Sequence, residues 1–299
     1  MKIKIFWLIL VLAFFLRFYK LGEVPISLDW DENSNAYNAY SILKTGRDQY
    51  SNFLPLTNRS FDDYKPPLYM YLNIPSVVIF GLTPFAARLP SAIFGFLTVP
   101  LVYLLTKKLF EKENIALLAA FFLAISPWHL QFSRVGFEAN VGLFFAVAAA
   151  TFLLYALFSK QENGNLKKSF LWAISAIFFG ISLYSYHAQR VFLPILFLTF
   201  AIIWRREIFS QHKNNLVIFL FICTLFTYPL ILSLPKEVIT QRFATTTQAS
   251  IVKDLDMSVN RKKGSAIFRI EPPAGKLHSV QAFPGDASES QRRFPRWPD

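Results

Sequence analysis

Long apolar runs recur through the first 234 residues of this chain. They cover residues 3–19, 66–82, 84–106, 114–131, 139–158, 169–186, 190–204 and 214–234. Several approach the roughly 20 residues that an α-helix needs to cross a bilayer. Only 17% of the 299 residues are charged, against about 25% in a typical soluble domain. The sequence therefore predicts an all-α polytopic membrane protein.

The charge of the chain fits the same class of protein. Its net charge of +12 would suggest a nucleic-acid partner in a soluble protein, but Lys and Arg collect in the cytoplasmic loops of membrane proteins and face anionic lipid. We therefore expect membrane lipids, and no nucleic acid, among its partners. The single cysteine, Cys223, excludes an intramolecular disulfide.

The basic clusters favour seven crossings rather than eight. These clusters are Lys107-Lys108, Lys167-Lys168 and Arg205-Arg206. With the N-terminus inside, eight crossings would place all three clusters outside, against the positive-inside rule. The run 66–82 is short and has Pro75 in its middle, so we place it on the outer membrane surface as a juxtamembrane helix. All three clusters then lie inside, and residues 20–87 form one long external loop.

Three parts are predicted along the chain. Residues 1–235 form the transmembrane module, residues 236–252 an external segment, and residues 253–299 a polar tail whose composition fits a disordered segment. The first run resembles a secretory signal, but no small-residue cleavage site follows it. We therefore predict that it remains as the first span.

Acidic side chains are concentrated near the start of the predicted external loop. Asp31 and Glu32 begin a predicted amphipathic helix over residues 31–45, which Gly46 would end. A carboxylate there could act as a general base on a hydroxyl or amine. It could also bind a divalent cation such as Mg or Mn, with Asp31 and Glu138 as ligands. The alternative is a solvated helix start that suits the helix dipole.

Cationic side chains on the same predicted side could bind a phosphate. Lys65 precedes two prolines that hold its backbone extended, so it could bind a lipid-linked phosphate or simply contact lipid headgroups. Arg134 could pair with Glu138 four residues later, or Glu138 could be a second acid that faces the same cavity as Asp31. His187 and Arg190 could contribute to the phosphate site or form an interfacial cluster.

Six short motifs follow one another in a characteristic order. They are Asp31-Glu32 with Tyr37 and Ala39, Lys65-Pro66-Pro67-Leu68-Tyr69, Ala87-Arg88-Leu89-Pro90-Ser91-Ala92, Lys107-Lys108-Leu109-Phe110, Ser126-Pro127 with Ser133-Arg134, and Tyr186-His187-Ala188-Gln189-Arg190. Over residues 1–235 this order resembles the integral-membrane GT-C glycosyltransferases of family 39, related to protein O-mannosyltransferases and to the aminoarabinose transferases of lipid A. The resemblance implies a GT-C module of about seven transmembrane helices, with juxtamembrane helices in an acidic first external loop.

The resemblance also implies an activity. The chain would move a sugar, with inversion, from a polyprenyl-phosphate donor to a protein, lipid or glycan acceptor. It would do so at the extracytoplasmic face of a bacterial inner or plasma membrane. The implied roles are catalytic for Asp31, Glu32 and Glu138, donor phosphate-binding for Lys65, Arg134, Arg190 and His187, and substrate-lining for Tyr37, Tyr69 and Tyr186.

Two other interpretations stay open from the sequence. A non-catalytic protein, such as a translocase of lipid-linked sugars or a transporter subunit, would carry polar residues near the middle of the membrane. Here the ionisable residues lie mainly at the ends of the runs on one predicted side, which favours the enzyme. Family members usually continue with further spans, so an inactive, truncated or frame-shifted fragment ending in the polar tail is the second alternative.

Overall fold

The computed structural model describes residues 2–60, 63–158 and 164–233, which are mostly helical. The elements are α1 Lys2–Phe18, α2 Trp30–Thr45, β1 Asn58–Ser60, β2 Asp63–Lys65, α3 Leu68–Phe80, α4 Pro84–Phe110, α5 Glu113–Ile125, α6 Pro127–Arg134, α7 Glu138–Leu157, α8 Gly164–Leu183, α9 Gln189–Ile203, α10 Arg205–Gln211 and α11 Lys213–Ser233. The described residues belong to one compact unit. The predicted external segment 236–252 and the predicted tail 253–299 lie outside the described residues.

Every predicted apolar run contains helix, which confirms a helical membrane fold. In the described part of the chain, α4, α7, α8 and α11 are long and apolar enough to cross a membrane, and α5 with α6 adds a fifth span if the bent pair is one crossing. The apolar helices α3 and α9 are shorter, and α1 has 17 residues. The count of seven crossings therefore stays a prediction.

The run 114–131 is broken where the sequence predicted one helix. α5 and α6 meet at an angle of 55°. Pro127 has no backbone N–H and suits the first position of a new helix, and the Ser126 hydroxyl accepts a hydrogen bond from the His129 N–H of that helix. The break leaves carbonyls at the end of α5 without helical donors.

A buried arginine binds the broken end of α5. Arg17, in the last turn of α1, is fully buried. Its Nη1 donates to the Ala124 carbonyl at 3.1 Å and its Nη2 donates to the Leu123 carbonyl at 3.2 Å. Nη2 also lies 2.7 Å from Nδ1 of His129. α1 is thereby fastened to the α5–α6 bend by a charge that water does not reach.

α7 lies at the centre of the helix packing. Its buried face carries small residues, among them Ala148, Ala149 and Ala156, which are fully buried. Small side chains let helix backbones approach closely in a membrane protein. α7 packs against α4 and α8, and the core cluster continues through Trp172 and Phe219 into α11. The start of α7 is thus fixed beside α4.

Candidate functional site

Asp31 and Lys65 form an ion pair. Asp31 lies in the first turn of α2 and Lys65 is the last residue of β2. The Lys65 side chain is 7% exposed, whereas the Asp31 side chain is 32% exposed. The acid and the cation to which the sequence assigned different roles are therefore in direct contact, and the acid is the member of the pair that solvent reaches.

A short hairpin positions Lys65 next to α2. β1 and β2 pair antiparallel, with Asn58 opposite Lys65. The buried Asn58 side chain accepts from Nδ2 of Asn38 at 3.1 Å and donates to Oδ1 of Asn35 at 2.9 Å. Both partners are buried on α2. The sequence patterns did not predict this amide cluster, although Asn35 and Asn38 lie close to the acidic motif.

The turn between α8 and α9 holds the backbone on both sides of Lys65. His187 Nε2 donates to the Tyr64 carbonyl at 2.8 Å, and the Tyr184 carbonyl accepts from the Leu68 N–H at 3.1 Å. Because a carbonyl can only accept, Nε2 of His187 carries the proton. Nδ1 then accepts from Nη1 of Arg190 at 3.4 Å. His187 and Arg190, predicted to bind phosphate, are placed where they position the strand that carries Lys65.

Glu32 is saturated with hydrogen bonds inside the protein. Its Oε1 accepts from Arg88 Nε at 2.9 Å and from the Gly136 N–H at 2.8 Å. Its Oε2 accepts from the Asp29 N–H at 2.8 Å. Glu32 is 1% exposed. The sequence predicted Glu32 as a catalytic neighbour of Asp31, but this geometry supports a structural carboxylate that contacts no solvent-facing surface.

Arg88 is a structural residue of the site, and the sequence motif that contains it did not predict this role. It is fully buried and, besides Glu32, donates to the carbonyls of Leu21, Pro25 and Ser27 at 3.1, 2.8 and 2.9 Å. One side chain of α4 thus fixes the segment that leads from α1 into α2. A lone arginine near the start of an apolar helix is the signal that could have found it.

Arg134 has a similar bracing contact at the end of α1. Its Nη1 donates to the Leu16 carbonyl at 2.9 Å and its Nη2 donates to the Val24 carbonyl at 3.1 Å. The sequence suggested an ion pair between Arg134 and Glu138 one turn apart on a single helix. In the structure Arg134 ends α6 and Glu138 begins α7, so the two residues are on different helices. These contacts support a bracing role for Arg134, and its predicted phosphate contact stays a prediction.

Two of the predicted substrate-lining tyrosines differ from the third in burial. Tyr69 is fully buried and its hydroxyl donates to the Ala87 carbonyl at 2.9 Å. Burial, followed by the negative charge of Glu32, raises the pKa of Tyr69 well above its usual range, so it stays a neutral donor. Its position does not support contact with a substrate, whereas Tyr37 and Tyr186 are partly exposed.

Glu138 is also mostly inside the protein, near Tyr69. It is the first residue of α7 and is mostly buried, and its charge acts on Tyr69 together with that of Glu32. Among the described residues, no group of three or more His, Cys, Asp or Glu could hold a metal ion. A role for Mg or Mn, with Asp31 and Glu138 as ligands, stays a prediction.

The family of dolichyl-phosphate-mannose-protein mannosyltransferases matches residues 64–231. The chain belongs to this family. An uncharacterized protein of Aquifex aeolicus (strain VF5) is 34% identical over 113 residues, which are 37% of this chain and 26% of that protein. A candidate mannosyltransferase of Bacillus subtilis (strain 168), YkcB, is 27% identical over 217 residues, which are 70% of this chain and 28% of that protein. This member thus spans slightly more than a quarter of the length of these relatives.

Solved structures of low sequence identity share the fold. ArnT from Cupriavidus metallidurans in the apo state has a TM-score of 0.58 and 16% identity, covering 77% of this chain and 42% of that chain. The archaeal oligosaccharyltransferase AglB from Archaeoglobus fulgidus, in complex with an inhibitory peptide and a dolichol-phosphate, has a TM-score of 0.58 and 20% identity. The match covers 76% of this chain and 29% of that chain. The predicted GT-C fold of this family member, an integral multi-pass membrane protein, is confirmed.

Proposed function

We propose that this chain is the donor-binding and catalytic part of a membrane glycosyltransferase that uses a polyprenyl-phosphate-linked sugar. The observation that carries the proposal is the contact between Asp31 and the buried Lys65. A base for the acceptor and a cation for the donor phosphate are adjacent there. The family to which the chain belongs supports the reaction class, because its name specifies a dolichyl-phosphate-mannose donor and a protein acceptor.

The proposed reaction is a displacement at the anomeric carbon of the sugar. Asp31 takes the proton from the acceptor hydroxyl or amine. The acceptor oxygen or nitrogen forms its bond to the anomeric carbon while the bond from that carbon to the phosphate oxygen breaks, and the electron pair leaves with the phosphate. Lys65 stabilises the charge that develops on this leaving group. Because its side chain is 7% exposed, water weakens that attraction little.

The remaining proposed features concern the substrates and the membrane. The acceptor is a protein, lipid or glycan, and the reaction takes place on the extracytoplasmic face of a bacterial plasma membrane. Tyr37 and Tyr186, which are partly exposed, line the substrate site. The external placement follows from the positive-inside argument, and the dolichol-phosphate bound to AglB is the chemical precedent for a carrier with one phosphate.

Transfer of radiolabelled sugar in membranes containing this chain tests the proposal. A panel of polyprenyl-phosphate sugars would serve as donors. We expect transfer by the wild type, a loss of about 10²–10⁴-fold in Asp31→Asn, and a large loss in Lys65→Met. Glu23→Gln is the matched control, because Glu23 is an exposed acid that pairs with Lys20 on the same predicted loop.

The controls separate loss of chemistry from loss of structure. Each variant is first shown to be inserted and to have the melting temperature of a folded protein. Full transfer by folded Asp31→Asn would rule out Asp31 as the base. Absence of transfer from every donor, by folded wild type, would contradict the proposed reaction class.

A further inference from the structure

The two groups that act on different substrates in the proposed reaction are bound to each other in this structure. Asp31 is assigned to the acceptor and Lys65 to the donor phosphate, yet their side chains form one ion pair. Two unit charges of opposite sign largely cancel each other for any third charge that approaches. In this state Lys65 therefore attracts a phosphate weakly, and the Asp31 carboxylate is held by a cation and is not free to contact an acceptor.

A donor phosphate cannot simply join the pair. It carries a negative charge, and placing it on Lys65 beside Asp31 would bring two anions into one small site. Lys65 is almost completely shielded from water, whereas Asp31 is about one-third exposed. Asp31 is thus the member of the pair that can turn into solvent, and the phosphate then replaces it as the counter-charge of the buried Lys65.

We propose that the donor phosphate displaces Asp31 from Lys65, so that the donor binds before Asp31 can accept a proton from the acceptor. This inference rests on the proposed function. Once released from Lys65, the Asp31 carboxylate is free to contact the acceptor, so Asp31 becomes available only when a donor sugar is in place. The base then takes the acceptor proton, the phosphate leaves with the electron pair of its bond to the sugar, and protonated Asp31 gives its proton to water.

The same competition acts at the end of the cycle. The product carrier is a phosphate monoester that carries more negative charge than the donor's diester at neutral pH, and it therefore binds Lys65 more strongly. Once Asp31 has lost its proton, it again competes for Lys65 and favours product release. The neighbouring Glu32 cannot take this role, because Arg88 and the Gly136 N–H hold it.

Equilibrium binding of farnesyl phosphate to the purified protein in lipid nanodiscs tests this competition. We expect Asp31→Asn to lower the Kd by at least about fivefold, a typical coupling between sites, because it removes the competitor while transfer is lost. Lys65→Met should weaken binding. The double variant Asp31→Asn/Lys65→Met should bind as Lys65→Met does, because the effect of Asp31 passes through Lys65.

Glu23→Gln supplies the control for charge alone. It removes one negative charge from the same predicted loop without touching Lys65, since Glu23 pairs with Lys20, and its Kd should stay within about twofold of the wild type. Asp31→Ser is the second neutral variant if Asp31→Asn does not fold. Unchanged or weaker binding in the neutral Asp31 variant, with weaker binding in Lys65→Met, would overturn the competition alone. Unchanged binding in Lys65→Met would overturn the phosphate site and with it the proposed function of Lys65.

Discussion

Asp31 and Glu32 are adjacent acids with different environments. Successive residues of an α-helix point about 100° apart, so one of the pair faces the protein interior while the other faces Lys65. Glu32 is 1% exposed and bound to Arg88, whereas the Asp31 side chain is 32% exposed. The sequence identified the acidic pair but offered no means to separate a structural carboxylate from a chemical one.

We predict that Glu32→Gln lowers stability much more than Asp31→Asn. Removing the charge of Glu32 leaves the fully buried Arg88 guanidinium without its counter-charge, which costs about 3–5 kcal/mol when one partner of a buried pair is lost. Asp31→Asn should cost less, because Asp31 is a partly exposed member of its pair, whereas both members of the Glu32 pair are buried. Thermal unfolding of the purified variants in one detergent measures the difference, with Glu23→Gln as the exposed control. Equal melting temperatures for Glu32→Gln and Asp31→Asn would contradict the assignment.

At the scale of elements, Lys65 is positioned from two sides. β1 connects the hairpin to α2 through buried asparagines, and the α8–α9 turn binds the backbone next to Lys65. Helices that are far apart in the sequence thereby fix one ammonium group. Such positioning matters because a phosphate contact that strengthens in the transition state depends on a preorganised donor.

We predict that His187 acts through the Tyr64 carbonyl rather than on the phosphate. His187→Ala loses the 2.8 Å hydrogen bond and should raise the donor KM roughly fivefold, the value of one net hydrogen bond. His187→Gln, whose amide can still donate, should restore most of the affinity. Donor KM and kcat, measured between pH 5.5 and 8.5, test this assignment.

The two roles of His187 give different pH profiles. A neutral positioning histidine leaves the donor KM flat on the neutral and alkaline side of the profile. A phosphate-binding imidazolium would instead lose its charge as the pH rises. The donor KM of the wild type would then increase on the alkaline side, and His187→Gln would not restore the affinity for the donor. Either of these results would support the direct contact between His187 and the phosphate that the sequence predicted.

Local patterns predicted most helices, and long-range contacts account for what they missed. α2 and its end at Gly46, which has φ +69°, match the predicted helix closely, because capping and periodicity are local properties. The pair formed by Glu32 and Arg88 joins residues 56 positions apart. The hairpin that carries Lys65 is held by amide bonds from another element. No local pattern encodes such partners.

At the scale of the whole molecule, α3 is too short to cross the membrane as a straight helix. α3 has 13 residues, which at 1.5 Å per residue span about 20 Å, whereas the hydrocarbon core is about 30 Å thick. α1 and α9 are also short, but each exposes a broad apolar face, as Leu8 of α1 and Leu198 of α9 illustrate. Such faces are typical of helices that contact lipid. α3 also exposes apolar side chains, such as Ile79, so the positive-inside argument decides between these helices and supports a surface position for α3 and crossings by α1 and α9.

We predict that the segments before and after α3 lie on the same side of the membrane. Single cysteines in a Cys223→Ser background would be labelled in intact cells with a membrane-impermeant maleimide. Ile26→Cys, at a position 97% exposed, and Thr83→Cys, just after α3, should both react from outside. Lys112→Cys, between α4 and α5, should react only after permeabilisation. Protection of Thr83→Cys with labelling of Ile26→Cys would mean that α3 crosses, and Lys107-Lys108 and the later basic clusters would then lie outside.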